Sequence, residues 1–282
     1  MATSTRRSKS ERRRQAKNPL RFTAATADKY VLYQMSVQDA DWELQFVTDC
    51  YRELRGKEPL HLREDFCGTA LTAATFIEGH PERTAEAYDL DPECLQWGRD
   101  HHIAELGDAS ERLKLFQEDV RTPGRKADVR FAHNFSWKVF KQRRELLEYF
   151  RAALHGLDDD GILSLDMFGG TDAQEPMEEE RWVDDDFMYI WDQDEFWPGN
   201  NDCRCFIHFR FPDGSEMKRA FKYEWRLWSM PEVKDLLEEA GFRRVLTYFE
   251  EFDDDGDGTG EYKLDERGYP CESWLSYIIA LK

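Results

Sequence analysis

Apolar runs alternate with segments of helical periodicity from residue 59 to residue 171. The runs have the length of buried strands, and between them apolar residues recur at the three- and four-residue spacing of a helix face. Strands are predicted at 60–63, 84–88, 113–117, 127–132 and 162–167, and helices at 69–79, 92–106 and 143–155. This alternation predicts βαβ units and a parallel, doubly wound α/β sheet.

The segments on either side of this region have other patterns. Residues 24–54 form two predicted helices, with Asp39 or Asp41 as the N-cap of the second. Residues 172–186 are acidic and are expected to form a loop, whereas 187–228 alternate aromatic and polar residues around turn signals. That alternation predicts antiparallel strands joined by a hairpin.

The C-terminal part predicts one helix and two strands. The helix covers 230–240 and ends at Gly241, and the strands cover 244–249 and 274–281, separated by an acidic loop at 250–261. We expect this hairpin-like return to end the sheet with an antiparallel strand. A nicotinamide-dependent oxidoreductase is therefore disfavoured, because the sheets of such enzymes usually finish parallel.

Charge is distributed unevenly along the 282 residues. The net charge is −19, yet residues 1–22 contain eight basic residues and one acid. The remainder contains 31 basic and 57 acidic residues, a net charge of −26. A part of the chain with so large a negative charge would repel phosphates, which argues against a polyanionic substrate. The basic segment is predicted to be a disordered tail, with a nucleic-acid or ribosome tether as the alternative.

Other sequence features exclude several classes of site. No apolar run reaches the roughly 20 residues of a membrane span, and the N-terminus lacks the apolar core of a secretory signal. The six cysteines are scattered without a CxxC pair, so we expect reduced thiols in a cytoplasmic protein and no metal. Residues 253–258 match the first half of a calcium loop, but Leu264 stands where the bidentate Glu belongs, which favours a solvated acidic loop.

The stretch from Leu62 to Ala70 has the composition of a sharp strand-to-helix turn. It places one glycine, Gly68, among small residues with acids just upstream. Such a turn keeps the backbone close to a ligand. Asp89 ends the next strand about twenty residues later, where an acid suits the hydroxyls of a ribose. Since the turn has no phosphate-binding lysine, the turn and Asp89 together favour a nucleoside without phosphates as the ligand.

These positions together resemble a class I S-adenosylmethionine-dependent methyltransferase. The resemblance covers roughly residues 59–282. It rests on the turn at 64–70, Asp89, Asp119 after the third strand and the block 133–135 after the fourth. The blocks Glu-Asp-Phe-Cys-Gly-Thr, Asp-Leu-Asp-Pro and Asn-Phe-Ser also resemble those of a bacterial subgroup of these enzymes.

The resemblance implies a Rossmann-like, seven-stranded methyltransferase sheet with an antiparallel last strand. The helical segment at 23–57 would form an N-terminal lid. The segment at 172–228 would be an antiparallel β insertion after strand five that caps the acceptor. The core would then comprise 58–171 and 229–282, following the tail at 1–22.

The resemblance also implies sites for the cofactor S-adenosyl-L-methionine and for an acceptor. The cofactor-binding residues are expected to be Glu64, Phe66, Cys67, Gly68, Thr69, Asp89, Leu90, Asp119, Val120 and Asn134. The catalytic candidates are Asn134 and His133, and the acceptor is expected near Tyr30, Tyr33, Gln38, Trp197 and Trp225.

Several of these residues have alternative structural roles. Asp89 is the ribose ligand or a cap on the next helix. Glu64 lies near the methionine ammonium group, or it forms a salt bridge to Arg63 or to another surface cation. Asp119 or Glu118 meets the adenine amino group, or Asp119 is only a turn acid. His133 is either a general base or a packed wall residue.

The turn departs from the usual family pattern at two positions. The family more often has three glycines here, and Phe66 and Ala70 replace the first and the last. The ring of Phe66 must therefore point away from the cofactor or narrow its pocket.

The predicted reaction is methylation of a small neutral or cationic molecule at nitrogen. The segment 134–137 loosely resembles a motif that holds an amino group in amino-methylating enzymes. The alternatives are an RNA or protein methyltransferase tethered by the basic tail, and a non-catalytic cofactor-binding module. No membrane partner is expected, and a homodimer is left open.

Overall fold

The computed structural model describes residues 21–253 and 258–282, which form two compact units. The larger unit comprises residues 38–175, 196–203 and 224–282. The smaller unit comprises residues 176–195 and 204–223 together with the chain up to residue 37. Most of the predicted basic tail, and the centre of the predicted calcium half-loop, lie outside the described residues.

The described residues contain two β-sheets. Their strands are β1 (His61–Asp65), β2 (Thr84–Asp89), β3 (Leu113–Gln117), β4 (Ala127–Ala132), β5 (Leu157–Gly169), β6 (Met177–Val183), β7 (Phe187–Trp197), β8 (Asp202–Arg210), β9 (Glu216–Arg226), β10 (Arg244–Phe252), β11 (Gly258–Leu264) and β12 (Trp274–Leu281).

The sheet of the larger unit has the strand order β11-β10-β12-β5-β4-β1-β2-β3. Strands β1 to β5 pair in parallel, whereas β12 is antiparallel to both β5 and β10. The strand order reverses between β1 and β4, and the crevice at such a reversal is where open α/β sheets bind ligands. The predicted doubly wound sheet with an antiparallel ending is confirmed.

Six α-helices accompany the strands in the described chain. They are α1 (Lys29–Ser36), α2 (Ala40–Arg55), α3 (Leu71–Glu78), α4 (Pro92–His101), α5 (Arg143–His155) and α6 (Met230–Ala240). No helix of the described chain has both the length and the apolar character required to cross a membrane.

Side-chain caps mark the beginning of most of these helices, among them α2, α4 and α6. Asp39 caps α2 by accepting from the Trp42 amide, so the first of the two predicted caps is correct. Asp91 caps α4 by accepting from the Glu93 amide. Ser229 and the third helical residue of α6 form a reciprocal capping box.

Two hydrophobic clusters attach the helices to the large sheet. One cluster joins α5 and α6 to strands β5 and β12, with Trp137 and Phe150 among its largest buried members. The other joins α2 and α3 to strands β1, β2 and β4, with Tyr51 and Phe76 buried in it. The core therefore lies in the layers between the sheet and these helices.

A buried ion network lies on strands β1 and β4. The Asp65 carboxylate accepts from Arg63 Nε at 3.0 Å, from Arg130 Nε, and from the Tyr149 hydroxyl at 2.9 Å. All of these side chains are almost completely buried. Both arginines also donate to the Val120 carbonyl oxygen, which follows β3. The network therefore connects the ends of three parallel strands.

The smaller unit contains α1 and most of the second sheet, whose order is β6-β7-β8-β9. Leu32 of α1 lies in its hydrophobic core with Phe187, Ile207 and Phe209. The predicted antiparallel insertion after β5 is confirmed. The predicted helical segment at 23–57 is divided, since α1 lies in the smaller unit and α2 in the larger.

The structure differs from the sequence-based elements in three places. The acidic loop predicted at 172–186 contains β6, whose glutamates are exposed on an edge strand. Residues 158–161, which precede the strand predicted at 162–167, form a bulge within β5, because Ala127 pairs with Leu157 and Val129 pairs with Ile162. Strand β11 adds an eighth, polar edge strand to the predicted seven.

The helix glycine Gly98 is expected to resist substitution. A Cβ atom at this position would lie 2.2 Å from the Thr69 carbonyl oxygen, so α4 packs directly on the backbone of the turn. We expect Gly98→Ala to lower the free energy of unfolding by about 1–3 kcal/mol, measured by urea denaturation. Gly199→Ala is the control, since a Cβ there meets nothing within 4 Å. Equal stability of the two variants would contradict this packing.

The Asp65 network gives a second expectation. Asp65→Asn removes the carboxylate to which both buried guanidinium groups are paired, so we expect a loss of about 3–5 kcal/mol in the free energy of unfolding. Asp160→Asn breaks the exposed ion pair with Lys57 and is expected to cost less than about 1 kcal/mol. A loss below about 1 kcal/mol for Asp65→Asn, measured by denaturation, would show that the network is not required.

Candidate active site

The turn between β1 and α3 alternates left-handed residues. Phe66, Gly68 and Ala70 have φ angles of 57°, 52° and 57°. These are the three positions at which the resembled family usually has glycine. A left-handed conformation costs a residue with a side chain roughly 1–2 kcal/mol, so the surrounding contacts must hold the turn. The Cys67 amide donates to the Tyr88 carbonyl oxygen at 3.0 Å and helps to do so.

The Phe66 ring packs away from the open side of the turn. It lies edge-on to the rings of Phe140 and Tyr149, at centroid distances of 5.9 and 5.8 Å, in the cluster below α5 and α6. On the open side, a Cβ atom at Gly68 would meet nothing within 4 Å. The turn therefore presents bare backbone to open space, as ligand binding at this place requires.

Asp89, at the end of β2, meets this turn directly. Its carboxylate accepts from the Gly68 amide at 2.8 Å and from the Asp91 amide at 2.9 Å. Burial raises the pKa of Asp89 above its usual range. Asp89 is not the cap of α4, because Asp91 has that role. Leu90 beside it is 65% exposed and extends an apolar side chain from the strand end.

The third strand end carries Asp119 and Val120. Arg121 donates to both carboxylate oxygens of Asp119, at 2.9 and 2.6 Å, and this pairing lowers the pKa of Asp119. The Asp119 side chain is 38% exposed. Val120 is buried, and its carbonyl oxygen is occupied by the two arginines of the ion network.

Glu64 is a buried carboxyl group at the end of β1. It accepts from the Ala73 amide at 2.9 Å, near the beginning of α3. Burial raises the pKa of Glu64 to about 8. Its predicted alternative role, a salt bridge to Arg63, is wrong, because Arg63 pairs with Asp65 on the other side of the strand.

The segment after β4 contains two consecutive left-handed residues. Asn134 and Phe135 have φ angles of 56° and 57°. The Phe135 amide donates to the Asp166 carboxylate at 2.8 Å, and the Trp137 indole donates to the Asp166 carbonyl oxygen at 2.9 Å. These bonds hold the half-buried Asn134 at the strand end. Burial raises the pKa of Asp166 to about 6.

His133 is enclosed in the wall of the site. Its Nε2 atom lies 2.8 Å from the Ser164 hydroxyl, and its ring packs between Phe131 and Tyr277. Burial lowers the pKa of His133 to about 4, so the ring is neutral at pH 7. The contacts of His133 are therefore those of a residue packed in the wall of the site, which was the second of its two predicted roles.

Glu43 of α2 belongs to the same region and was missed from the sequence. Its Oε1 atom lies 3.6 Å from His133 Nδ1, and Oε2 and that Nδ1 atom are buried without a hydrogen-bond partner. Burial, followed by the charge of Asp39, raises the pKa of Glu43 to about 8. Glu43 falls at helical spacing between Ala40 and Val47 on the buried face of α2, which is the signal that could have revealed it.

The predicted acceptor residues lie in different parts of the chain. In the smaller unit, Tyr30 and Tyr33 pack against Phe221. In the larger unit, Gln38 is half-buried, Trp197 is 42% exposed, and Trp225 is buried against Phe135 and Phe168. The structure therefore groups Glu64, Gly68, Asp89, His133 and Asn134 at the strand ends of the larger unit, whereas the five acceptor candidates are divided between the two units.

Solved structures share the fold of this chain and resemble it only distantly in sequence. A methyltransferase from Clostridium acetobutylicum that uses S-adenosylmethionine has a TM-score of 0.61 and 16% identity, over 89% of this chain and 97% of its own. An amino pentose methyltransferase from Micromonospora echinaspora, solved with S-adenosylmethionine bound, has a TM-score of 0.62 and 15% identity, over 94% and 98%. A sugar N-methyltransferase from Streptoalloteichus has a TM-score of 0.60 and 17% identity, over 91% and 93%.

The chain has the class I methyltransferase fold. This confirms the architecture that the sequence predicted. No protein-family model matches the sequence, and no curated protein matches it. In a methyltransferase fold, the turn at 66–70 and Asp89 occupy the strand ends beside the reversal of strand order.

The buried carboxyl of Glu43 makes the stability depend on pH. The unfolded pKa of a glutamate is about 4.3, so between that pH and 8 the folded chain keeps a proton that the unfolded chain releases. Stability contributed by this group is therefore lost as the pH rises through that window. We expect the stability of Glu43→Gln relative to that of the wild type to increase by on the order of 3 kcal/mol between pH 5 and pH 8.

This expectation is checked by urea denaturation at both pH values. Glu53→Gln, at an exposed position of the same helix, is the matched control and should follow the wild type throughout. The assignment fails if the difference between Glu43→Gln and the wild type is the same at pH 5 and pH 8.

Proposed function

We propose that this protein transfers a methyl group from S-adenosylmethionine to a small-molecule acceptor, at nitrogen. One observation carries the proposal. The open backbone of Gly68 is hydrogen-bonded to the Asp89 carboxylate beside the reversal of strand order in a methyltransferase fold. A turn and an acid in this relation suit a nucleoside, with the backbone at one end and the carboxylate at the ribose.

The residues present fit the nucleoside part of this cofactor. A glycine with open space beside it allows the ligand to approach the turn. Asp89 binds the ribose hydroxyls in this proposal, since its two backbone hydrogen bonds leave acceptor capacity on both oxygens. Asp119 accepts from the adenine amino group, and the exposed Leu90 covers one face of the base.

The residues also fit the cationic end of the cofactor. Glu64, Glu43 and Asp166 place three buried carboxyls around the ends of β1, β4 and β5. Each has a raised pKa because burial disfavours its ionised form. A bound ammonium or sulfonium would favour that form, so these groups supply charge that matches a cation. Glu64 binds the methionine ammonium group in this proposal.

The chemistry is an in-line displacement, for which the bound cofactor supplies a methyl group on a positively charged sulfur. A bond forms between the acceptor nitrogen and the methyl carbon, and the electron pair of the broken carbon–sulfur bond goes to sulfur. The protein contributes mainly proximity and orientation. Asn134, held in a left-handed conformation above Asp166, orients the acceptor amine.

An amine acceptor must lose a proton to become nucleophilic and methylated. Asp166 receives this proton in the proposal, because its carboxylate is hydrogen-bonded to the residue that follows Asn134. His133, neutral and bonded to Ser164, orients the wall of the site without contacting solvent. Nitrogen is favoured as the acceptor atom by these carboxyls, and by structural neighbours described as sugar and glycopeptide N-methyltransferases.

Asp89 provides the decisive test of cofactor binding. We expect isothermal titration to show that S-adenosylhomocysteine binds the wild type and binds Asp89→Ala about 10–100-fold more weakly. Loss of charge-assisted hydrogen bonds worth about 1.5–3 kcal/mol gives a change of this size.

Asp91→Asn is the matched control, because Asp91 caps α4 two residues away and has no predicted ligand contact. Its affinity should stay within about twofold of the wild type. Absence of wild-type binding, or equal affinity of Asp89→Ala, would overturn the proposal.

A further inference from the structure

Tyr277 lies next to Asp166 on the neighbouring strand of the larger unit. The two residues are direct partners in the antiparallel pairing of β12 with β5. Side chains that oppose each other in this way project from the same face of a sheet, with their Cβ atoms about 4.5–5.5 Å apart. Tyr277 therefore lies on the sheet face of Asp166, next to the proposed transfer site.

The side chain of Tyr277 extends from β12 towards β4. Its ring centre lies 5.1 Å from that of His133, which directly follows β4. Strand β5 separates β12 from β4 in the sheet. Neighbouring strands are about 4.8 Å apart, so the tyrosine ring has to lean across the strand that carries Asp166 in order to reach His133. The side chain thus approaches the strand end that also carries Asn134.

Aromatic packing fixes the ring of Tyr277. Trp42 and Phe46 of α2 lie at centroid distances of 5.4 and 5.0 Å, and Tyr262 of β11 lies at 4.8 Å. With His133 on another side, only 6% of Tyr277 is exposed. A ring enclosed in this way has one position, so its hydroxyl is oriented before any ligand binds.

The hydroxyl of Tyr277 and one oxygen of Asp166 lack hydrogen-bond donors. Tyr277 forms no side-chain hydrogen bond within the described residues. Asp166 accepts from the Phe135 amide through Oδ1 at 2.8 Å, which leaves Oδ2 without a donor in the same part of the chain. Neither oxygen is sealed, in contrast to Glu43 Oε2 and His133 Nδ1 nearby. Two accessible oxygens on paired residues are therefore available to a ligand.

The groups around the Tyr277 hydroxyl are acidic. Burial, followed by the charges of Glu43 and Asp166, raises the pKa of Tyr277 far above its usual range. The next groups that act on it, Tyr262 and Glu250, are acids as well. Tyr277 therefore keeps its proton at neutral pH, and its uncharged oxygen can accept a hydrogen bond. Acidic surroundings favour a donor that carries or develops positive charge.

Two acceptor oxygens side by side suit a nitrogen with two N–H groups. An amine that attacks a methyl group directs its lone pair at the carbon, so its N–H groups point to either side. A primary amine brings one N–H for each oxygen, whereas an alcohol brings a single O–H. The nitrogen also becomes positively charged as the bond forms, which matches the acids around it.

We infer that Tyr277 belongs to the transfer site and that its hydroxyl oxygen accepts one N–H of a primary amine while Asp166 accepts the other. The two contacts aim the lone pair at the methyl carbon. As the carbon–nitrogen bond forms, the electron pair of the carbon–sulfur bond goes to sulfur and the surplus proton goes to Asp166. Tyr277 keeps its own proton throughout. The inference rests on the proposed function and adds to it a residue and the class of the acceptor nitrogen.

Isothermal titration of the full-length protein with two cofactor analogues tests this role without the acceptor. Sinefungin carries an amino group where S-adenosylmethionine carries the transferred methyl, and S-adenosylhomocysteine carries no group there. We expect the wild type to bind sinefungin about tenfold more tightly. Tyr277→Phe keeps the ring, so its affinity for S-adenosylhomocysteine should stay within about twofold, while the preference for sinefungin should fall about five- to tenfold.

The ratio of the two affinities separates this role from a structural one. Loss of packing at Tyr277 would weaken both analogues alike and leave the ratio unchanged. Tyr248→Phe is the matched control, because Tyr248 pairs with Tyr277 and packs on Phe46 but lies one strand further from Asp166. It should keep the wild-type ratio. An unchanged ratio in Tyr277→Phe, or an equal fall in Tyr248→Phe, would overturn the inference.

A second measurement uses the wild type itself. With tyrosines labelled with ¹³C at Cζ, sinefungin should shift one resonance that S-adenosylhomocysteine leaves in place, and Tyr277→Phe should lack that resonance. Absence of such a shift would also contradict the contact.

The two proposals fail in different ways. If S-adenosylhomocysteine binds with its dependence on Asp89 but the sinefungin preference does not depend on Tyr277, the role of Tyr277 is wrong and the proposed function stands. If neither analogue binds the wild type, the proposed function is wrong and the inference fails with it.

Discussion

The carboxylate of Asp65 is the contact on which the centre of the large sheet depends. It receives hydrogen bonds from two buried arginines of neighbouring strands and from a tyrosine of α5. The same arginines bind the carbonyl oxygen of Val120, next to Asp119. Three strand ends are thereby fixed in one arrangement. Buried ion pairs of this kind add little net stability over apolar packing, but removing one partner is costly. The network therefore contributes more to the relative positions of the strand ends than to the net free energy of unfolding.

The positions of the strand ends matter because the neighbouring candidate site contains carboxyl groups whose burial is unfavourable without a partner. Glu43, Glu64 and Asp166 are carboxyls buried among apolar and aromatic side chains, and each holds its proton more tightly than in water. Backbone amides at Ala73 and Phe135 only partly compensate this burial. A cation in their midst would relieve the penalty. Burial disfavours the ionised form of these carboxyl groups, and a bound cation would favour that form. The same burial would therefore increase the affinity for a positively charged ligand.

The sequence was sufficient for the parallel sheet, because buried strands and amphipathic helices have distinct periods. It also located the turn and Asp89, since glycine chemistry and strand ends are local signals. It missed the partners of Asp65, which come from residues as distant as Tyr149 and depend on strand register. It missed β6 and β11, whose exposed polar residues lack the apolar alternation of a strand. Glu43 was overlooked because a charged residue on a helix is usually exposed.

The side chains of Phe66 and Ala70 have a consequence for how the turn behaves when no ligand is present. Glycine at these positions would leave the unfolded chain, and a loosened turn, many more backbone conformations than bulkier residues allow. Here the Phe66 ring is clamped between aromatic neighbours, so the left-handed backbone is set before any ligand arrives. Binding then needs little further loss of conformational entropy at the turn. Phe66 and Ala70 depart from the usual glycine motif, and as a consequence they make the turn more rigid.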